Sequence, residues 1–274
     1  MIVVSGATGE LGRLVIDALL ERAPSSEIAV AVRNPGRAEA FAVRGVLVRH
    51  ADYDEPASLR SAFTGADRLL FISAPTDGRD RVVQHRRVVD AAREAEVGIL
   101  TYTSGLGADM VDEGVLGEHA ATERAIVESG LTATIVRHPI YSDFFIHPGL
   151  RQAVHDGELR SSSGGRGLNT ALRADLAEAA AEVLTTDGHA GRAYDFTGPL
   201  WTYPQLAAVL SDLSGRTVTC REQDEDEGIM TMIGGPVRFG AFERQTGDLE
   251  AVIGHPATSL REAVVAALRP AEAE

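Results

Sequence analysis

Apolar and polar positions along this chain follow two alternating rhythms. Short runs of β-branched and aliphatic residues at 2–4, 28–32, 46–49, 68–73, 98–103 and 131–136 read as buried strands. Between them the apolar positions recur at three- and four-residue spacing, the mark of a helix with one buried face. The first such stretch starts at Glu10 and carries Leu11, Leu14, Val15, Ala18 and Leu19; others cover 37–43, 56–63, 80–95 and 118–129. This alternation predicts an α/β fold, a Rossmann-type doubly wound parallel sheet with right-handed crossovers. A loop at 105–117, with four glycines and the acids Asp109, Asp112 and Glu113, is expected to be a mobile flap near the active site.

Beyond about residue 140 the pattern becomes mixed. Strands are expected at 158–162, 193–196 and 217–219, and helices at 173–184, 204–213, 248–253 and 259–268. The acidic run at 222–227 reads as a solvated loop, and the tail at 270–274 as frayed. The expectation is a Rossmann domain over 1–140 and a smaller C-terminal α/β lobe over 141–274, some of whose elements return to the first sheet.

Composition narrows the function. The 274 residues are 44% hydrophobic, enough for a substantial core. Forty acids against 26 basic residues leave a formal charge of −14, which disfavours nucleic-acid partners. Cys220 is the single cysteine, so no intrachain disulfide forms and a reducing, cytoplasmic setting is expected. No charged leader precedes the first apolar run, which is too short to span a bilayer, so no membrane partner is expected. The eight histidines lack H-E-x-x-H or similar spacing, and the acidic run lacks the alternating ligand pattern of a calcium loop; no metal is expected.

Gly6, Gly9 and Gly12 lie in a G-x-x-G-x-x-G turn between the first strand and first helix. One glycine permits the tight turn, one lets a pyrophosphate approach bare backbone, and one lets the helix pack on the strand. Free N–H groups at the helix start then face the phosphates, flanked by Thr8 and Glu10. A NAD-selective site carries an acid at the end of the second strand, to hold the ribose 2′-hydroxyl. Here Arg33 stands there, and a guanidinium suits a 2′-phosphate, so NADP(H) is favoured over NAD(H). Asp52 is read either as an adenine-side hydrogen-bond partner or as the cap of the helix at 56–63.

With SGATGELGRLVI, VRNPGRA, ADYDEPASL, LLFISAP, YTS, EHAATE, SGLTATIVR, RADLAEAAAEVL and IGHPATSLREAV in view, the chain resembles the NmrA-like atypical short-chain dehydrogenases/reductases. Within them it is most similar to the type-2 NAD(P)H:quinone oxidoreductases. The resemblance implies a seven-stranded sheet with a small lobe closing over the nicotinamide. It implies that Gly6, Thr8, Gly9, Glu10, Leu11 and Gly12 hold the pyrophosphate and Arg33 the 2′-phosphate. Ser73, Ala74, Pro75, Arg137, His138 and Pro139 would line the nicotinamide ribose and ring, while Tyr141, Phe144 and Arg173 would meet the substrate. Relatives of the quinone-reductase type carry R-N-G-W-Y-x-E-N where this chain has Arg137-His138-Pro139-Ile140-Tyr141-Ser142-Asp143-Phe144.

Ordinary short-chain dehydrogenases use Tyr-x-x-x-Lys as the acid, but this chain contains no lysine. Reduction of a quinone needs no strong acid, so the expected activity is NADPH-dependent hydride transfer to a quinone or related conjugated carbonyl. His119, Tyr141 and His138 are the candidate proton donors by position, with a surface helix-start histidine as the alternative for His119. Two other readings stand beside this one: a tailoring reductase for a polycyclic aromatic natural product, and a non-catalytic NADP(H) sensor acting through a partner protein. The expected partners are a small-molecule acceptor and, in a homodimer, a second copy of the chain.

Overall fold

Strands β1 (Ile2–Ser5), β2 (Ile28–Val32), β3 (Leu47–His50), β4 (Arg68–Phe71), β5 (Ile99–Gly105) and β6 (Ala133–His138) lie on or within two residues of the aliphatic runs. The computed structural model describes residues 1–74 and 80–269. Helices α1 (Glu10–Leu20), α2 (Glu39–Val43), α3 (Pro56–Phe63), α4 (Arg81–Glu94) and α5 (Gly114–Ser129) alternate with the strands. Parallel strands covered on both faces are apolar along their length, and β2 is buried at every position. Two expectations are corrected. Asp52 does not cap α3, whose N-cap is Glu55; its carboxylate instead accepts the Asp54 N–H at 3.0 Å. The loop before α5 is shorter than the 105–117 expected. The helix starts at Gly114, Ala108 is buried, Asp109 pairs with Arg137 at 3.3 Å and Asp112 with Arg124 at 2.8 Å.

The remaining strands are β7 (Ile140–Tyr141), β8 (Glu158–Ser161), β9 (Leu168–Ala171), β10 (Ala193–Asp195), β11 (Leu200–Trp201) and β12 (Thr219–Glu222). The remaining helices are α6 (Leu150–Asp156), α7 (Arg173–Thr185), α8 (Tyr203–Ser214), α9 (Met230–Arg238), α10 (Asp248–Ile253) and α11 (Leu260–Ala267). Helix α9 escapes the sequence pattern because Gly234, Gly235 and Pro236 read as breakers. It forms because Met230, Ile233 and Val237 are buried in a common core with Phe145, Trp201, Leu206 and Leu210. Burial outweighs the weak propensity.

The chain divides into two compact units: Met1–His138 with Leu176–Phe196, and Pro139–Asp175 with Thr197–Glu274. In the first unit seven strands run in the order β10-β6-β5-β4-β1-β2-β3, every pairing parallel. The chain winds outward from β1 to β3, then returns to the other side of β1 as β4. Strand order therefore reverses between β1 and β4, and the crevice outside their carboxyl ends is where such sheets bind ligands. Val3, Leu69, Leu100 and Tyr102 of the sheet pack with Leu59 and Phe63 of α3 and Val88 and Ala92 of α4. Each of the buried Val, Leu and Phe side chains contributes about 1.5–3 kcal/mol by leaving water. In the second unit β11-β9-β7 and β12-β8 make two small sheets, and capping boxes at Thr202/Gln205 and Ser259/Glu262 start α8 and α11.

Gly12 holds the first βα unit together. A Cβ there would lie 2.5 Å from the Gly6 carbonyl oxygen and 2.6 Å from the Ala7 Cα, both backbone atoms that cannot turn aside. A Gly12→Ala substitution is expected to destabilise the protein by about 1–3 kcal/mol through overpacking, measured by urea unfolding. An unfolding midpoint equal to wild type would contradict this close packing.

Candidate cofactor-binding site

The glycine turn joins β1 to α1 at the strand-order reversal. Gly6 takes a φ of +69°, a left-handed conformation that favours glycine, and the Gly9 N–H closes the turn on the Gly6 carbonyl at 3.1 Å. Gly9 is the N-cap of α1 and, lacking a side chain, makes no capping bond, so the helix start is uncapped. Gly6, Gly9 and Glu10 are exposed and Thr8 is half-buried, whereas Leu11 and Gly12 are buried and shape the turn from beneath. Arg13 lies beside it, its Nε donating to the Thr8 carbonyl at 3.2 Å. This second cation is invisible to a motif search because it follows the last glycine rather than filling a consensus position. Arg33 is the first residue past β2 and is exposed. No acid takes its place at the end of β2. Bare backbone at a helix start and a solvent-facing guanidinium on the neighbouring strand fit the pyrophosphate and 2′-phosphate of NADP(H).

On the other side of the reversal, Ser73 and Ala74 follow β4; Pro75 lies outside the described residues. The Ser73 N–H donates to Thr103 Oγ1 at 2.9 Å and the Ala74 N–H to His85 Nε2 at 3.0 Å. Accepting that bond leaves the His85 proton on Nδ1, which donates to Thr122 Oγ1 at 2.8 Å. Burial, reinforced by the charge of Arg81, holds the His85 pKa at about 3.

His119, a candidate proton donor, is buried in the same network. Arg81 can only donate, so its Nη2 donates to His119 Nε2 at 2.8 Å, and His119 Nδ1–H donates to Tyr102 Oη at 2.8 Å. Both ring nitrogens are thus engaged by the protein, and burial with the adjacent Arg81 charge lowers the pKa to about 2. His119 is neither a surface histidine nor available to a substrate. Arg81 Nη1 pairs with Glu118 at 3.0 Å, which supplies the counter-charge.

Arg137 is likewise turned inward. Its Nε and Nη2 bind Glu123 at 2.9 and 2.7 Å, and its Nη1 meets Asp195 at 3.2 Å and Asp109 at 3.3 Å. Ser104 Oγ adds a bond to Glu123 at 2.5 Å. All three guanidinium nitrogens are committed to carboxylates, so Arg137 braces β5, β6, β10 and α5 rather than reaching a cofactor. His138 ends β6, buried and stacked on Phe196 at 5.9 Å, with its pKa pushed down to about 3 by burial. Pro139 follows, also buried.

In the second unit the structure brings Tyr141, Phe144 and Arg173 together. The Tyr141 and Phe144 rings stack at 6.1 Å and 18°, and the Arg173 guanidinium lies 4.5 and 4.9 Å from their centroids. Asp143 holds Arg173 at 3.3 Å, and Phe144 remains 45% exposed. Among the described residues no cluster of three or more His, Cys, Asp or Glu could hold a metal ion, and no helix is long and apolar enough to cross a membrane.

Comparison with known proteins agrees with this geometry. The model of an NAD(P)H-binding family matches residues 6–187. Quinone oxidoreductase 2 of Escherichia coli is 38% identical over 96% of this chain and 97% of its own length. Among solved structures, Citrobacter sp. triphenylmethane reductase complexed with NADP(H) superposes with a TM-score of 0.92 at 37% identity, covering 97% of this chain and all of that one. NADPH-dependent quinone oxidoreductase from Escherichia coli, complexed with NADPH, gives 0.85 at 36% identity over 97% and 99% of the two chains.

The three buried histidines make stability depend on pH. Their folded pKa values of about 3, 2 and 3 lie below the unfolded value of about 6.5. As pH falls below about 6.5 the unfolded chain takes up protons that the native state refuses. Stability is therefore complete above that pH and declines by about 1.4 kcal/mol per pH unit for each histidine, until the native groups titrate near pH 3. Urea midpoints should fall between pH 7 and pH 5; midpoints that stay level would show that these imidazoles protonate normally.

Proposed function

The chain belongs to the NAD(P)H-binding family, and on that footing we propose that it is an NADPH-dependent oxidoreductase that passes hydride to a quinone or related conjugated carbonyl. The observation that carries the cofactor half is the pairing of an uncapped glycine turn with exposed Arg33 on the adjacent strand. Backbone N–H groups in the first turn of α1, beyond Gly9, would hold the pyrophosphate and Arg33 the 2′-phosphate. The relatives named quinone oxidoreductase, matched over almost the whole chain, support the acceptor half.

The cofactor, when bound, would supply the hydride. The chain's part is to orient the reactants and exclude water. No Tyr-x-x-x-Lys acid exists, and His119 has both nitrogens engaged. That suits an acceptor whose developing oxygen charge is delocalised and protonated by water. Tyr141, Phe144 and Arg173 are proposed as the acceptor-contacting group, with Tyr141 and His138 the remaining candidate donors. A reducing, cytoplasmic setting suits the lone Cys220.

A second reading, a polycyclic aromatic acceptor, draws on Phe144. Its exposed ring parallel to Tyr141 offers a stacking surface for a flat multi-ring molecule.

Loss of reduced-nicotinamide absorbance with a simple quinone tests the class directly. Turnover with NADPH should exceed that with NADH, and Arg33→Glu should lower kcat/KM for NADPH by about 10- to 100-fold, the worth of a charge-assisted contact. A variant that keeps the NADPH preference would defeat the Arg33 assignment, and cofactor binding without turnover of any acceptor would favour the sensor. For the second reading, Phe144→Asn should reduce kcat/KM for a multi-ring quinone about fivefold more than for benzoquinone. Equal losses for both acceptors would remove Phe144 from the stacking role.

A further inference from the structure

Three consecutive residues beyond β4 have backbone groups held by side chains from three different segments. The Ile72 carbonyl accepts from Tyr53 Oη at 3.0 Å, the Ser73 N–H donates to Thr103 Oγ1 at 2.9 Å, and the Ala74 N–H donates to His85 Nε2 at 3.0 Å. Strand pairing of β4 ends at Phe71, so the ladder no longer serves these groups. In an ordinary loop water would do so.

The three side chains are themselves fixed. Tyr53 Oη also lies 2.7 Å from Ser5 Oγ at the end of β1, so one phenol bridges the two strands between which the sheet order reverses. Burial raises its pKa, which keeps the phenol proton available for the Ile72 carbonyl. The Phe71 ring meets both Tyr53, at 5.7 Å and 81°, and His85, at 4.9 Å and 78°, setting their planes edge-to-face. His85 accepts through Nε2 only because it is neutral, and its Nδ1–H is anchored by Thr122, whose own hydroxyl donates to the Glu118 carbonyl at 2.9 Å. Thr103 is buried within β5.

We infer that Tyr53, Thr103 and His85 are positioning residues that fix the backbone of residues 72–74 for the nicotinamide half of the cofactor. This rests on the NADPH reading above. With the 2′-phosphate at Arg33 beyond β2 and the pyrophosphate at the glycine turn beyond β1, the adenosine half occupies the β1–β2 side of the reversal. The remaining half falls on the β4 side, where residues 72–74 leave the sheet. A loop held at three successive backbone groups is already ordered before the ligand arrives, so binding costs less ordering entropy.

Titrating the full-length protein with NADPH, and separately with 2′,5′-ADP, which lacks the nicotinamide half, tests this assignment. His85→Leu should weaken NADPH binding about tenfold and leave 2′,5′-ADP within about twofold of wild type, the scale of one lost hydrogen bond. His85→Gln restores an acceptor for the Ala74 N–H and should return NADPH affinity to within about threefold of wild type. Thr103→Val and Tyr53→Phe each delete one polar atom with little change of shape, and carry the same expectation should His85→Leu fail to fold. NADPH binding unchanged in all three deletion variants overturns the inference. So does an equal loss for both ligands, which would mark general damage to the fold. Wild-type protein that binds neither ligand would overturn the cofactor reading itself, and this inference with it.

Discussion

Two parallel strands leaving one sheet edge side by side and parting in opposite directions impose the constraint on which this structure depends. At the ends of β1 and β4 the backbone ladder stops while the chain is still partly buried, so its polar groups need other partners. On the β1 side the Gly6 carbonyl takes the Gly9 N–H, and the helix start is left open. On the β4 side three side chains take three backbone groups in turn. One half of the edge thus presents an uncapped helix start to a ligand, and the other half is held by side chains. Tyr53 ties the two halves together.

The same edge shows how a chain without lysine manages buried charge. Arginine supplies several directed donors that can be shared among partners, which a compact ammonium does less well. Arg81 spends one nitrogen on Glu118 and one on His119, and Arg137 spreads three over Glu123, Asp195 and Asp109. Arg81 also helps to hold the two neighbouring histidines neutral, and their neutrality decides which nitrogens accept hydrogen bonds. Side chains that look reactive in the sequence are consumed in this framework. Among the described residues of this unit, the uncapped start of α1 and the exposed guanidiniums of Arg13 and Arg33 face a ligand. That is a sparse set, suited to a reaction in which a bound cofactor carries the difficult step.

Membership of the NAD(P)H-binding family and near full-length similarity to a quinone oxidoreductase and a triphenylmethane reductase agree with that economy. The 138–144 segment, which does not match the R-N-G-W-Y-x-E-N motif expected of quinone reductases, contributes a stacked Tyr141–Phe144 pair beside the Arg173 guanidinium.

By itself the sequence determined whatever follows from local pattern. Short β-branched runs such as IAVAV, bounded by turn residues, read as strands buried on both faces, helical periodicity spaces them, and the glycines with Arg33 follow the first two strands at the intervals a dinucleotide site requires. Tertiary structure decided what depends on distant partners. Helix α9 forms despite Gly234, Gly235 and Pro236 because its apolar side is buried in a core assembled from residues far away in the chain. His119 and Arg137 follow strand and helix motifs that suggest an active site, yet Arg81, Tyr102, Glu123 and Asp195 claim their polar atoms. No spacing rule foretells that, because a hydrogen bond is satisfied by whichever group the fold brings within about 3 Å, not by the nearest in sequence.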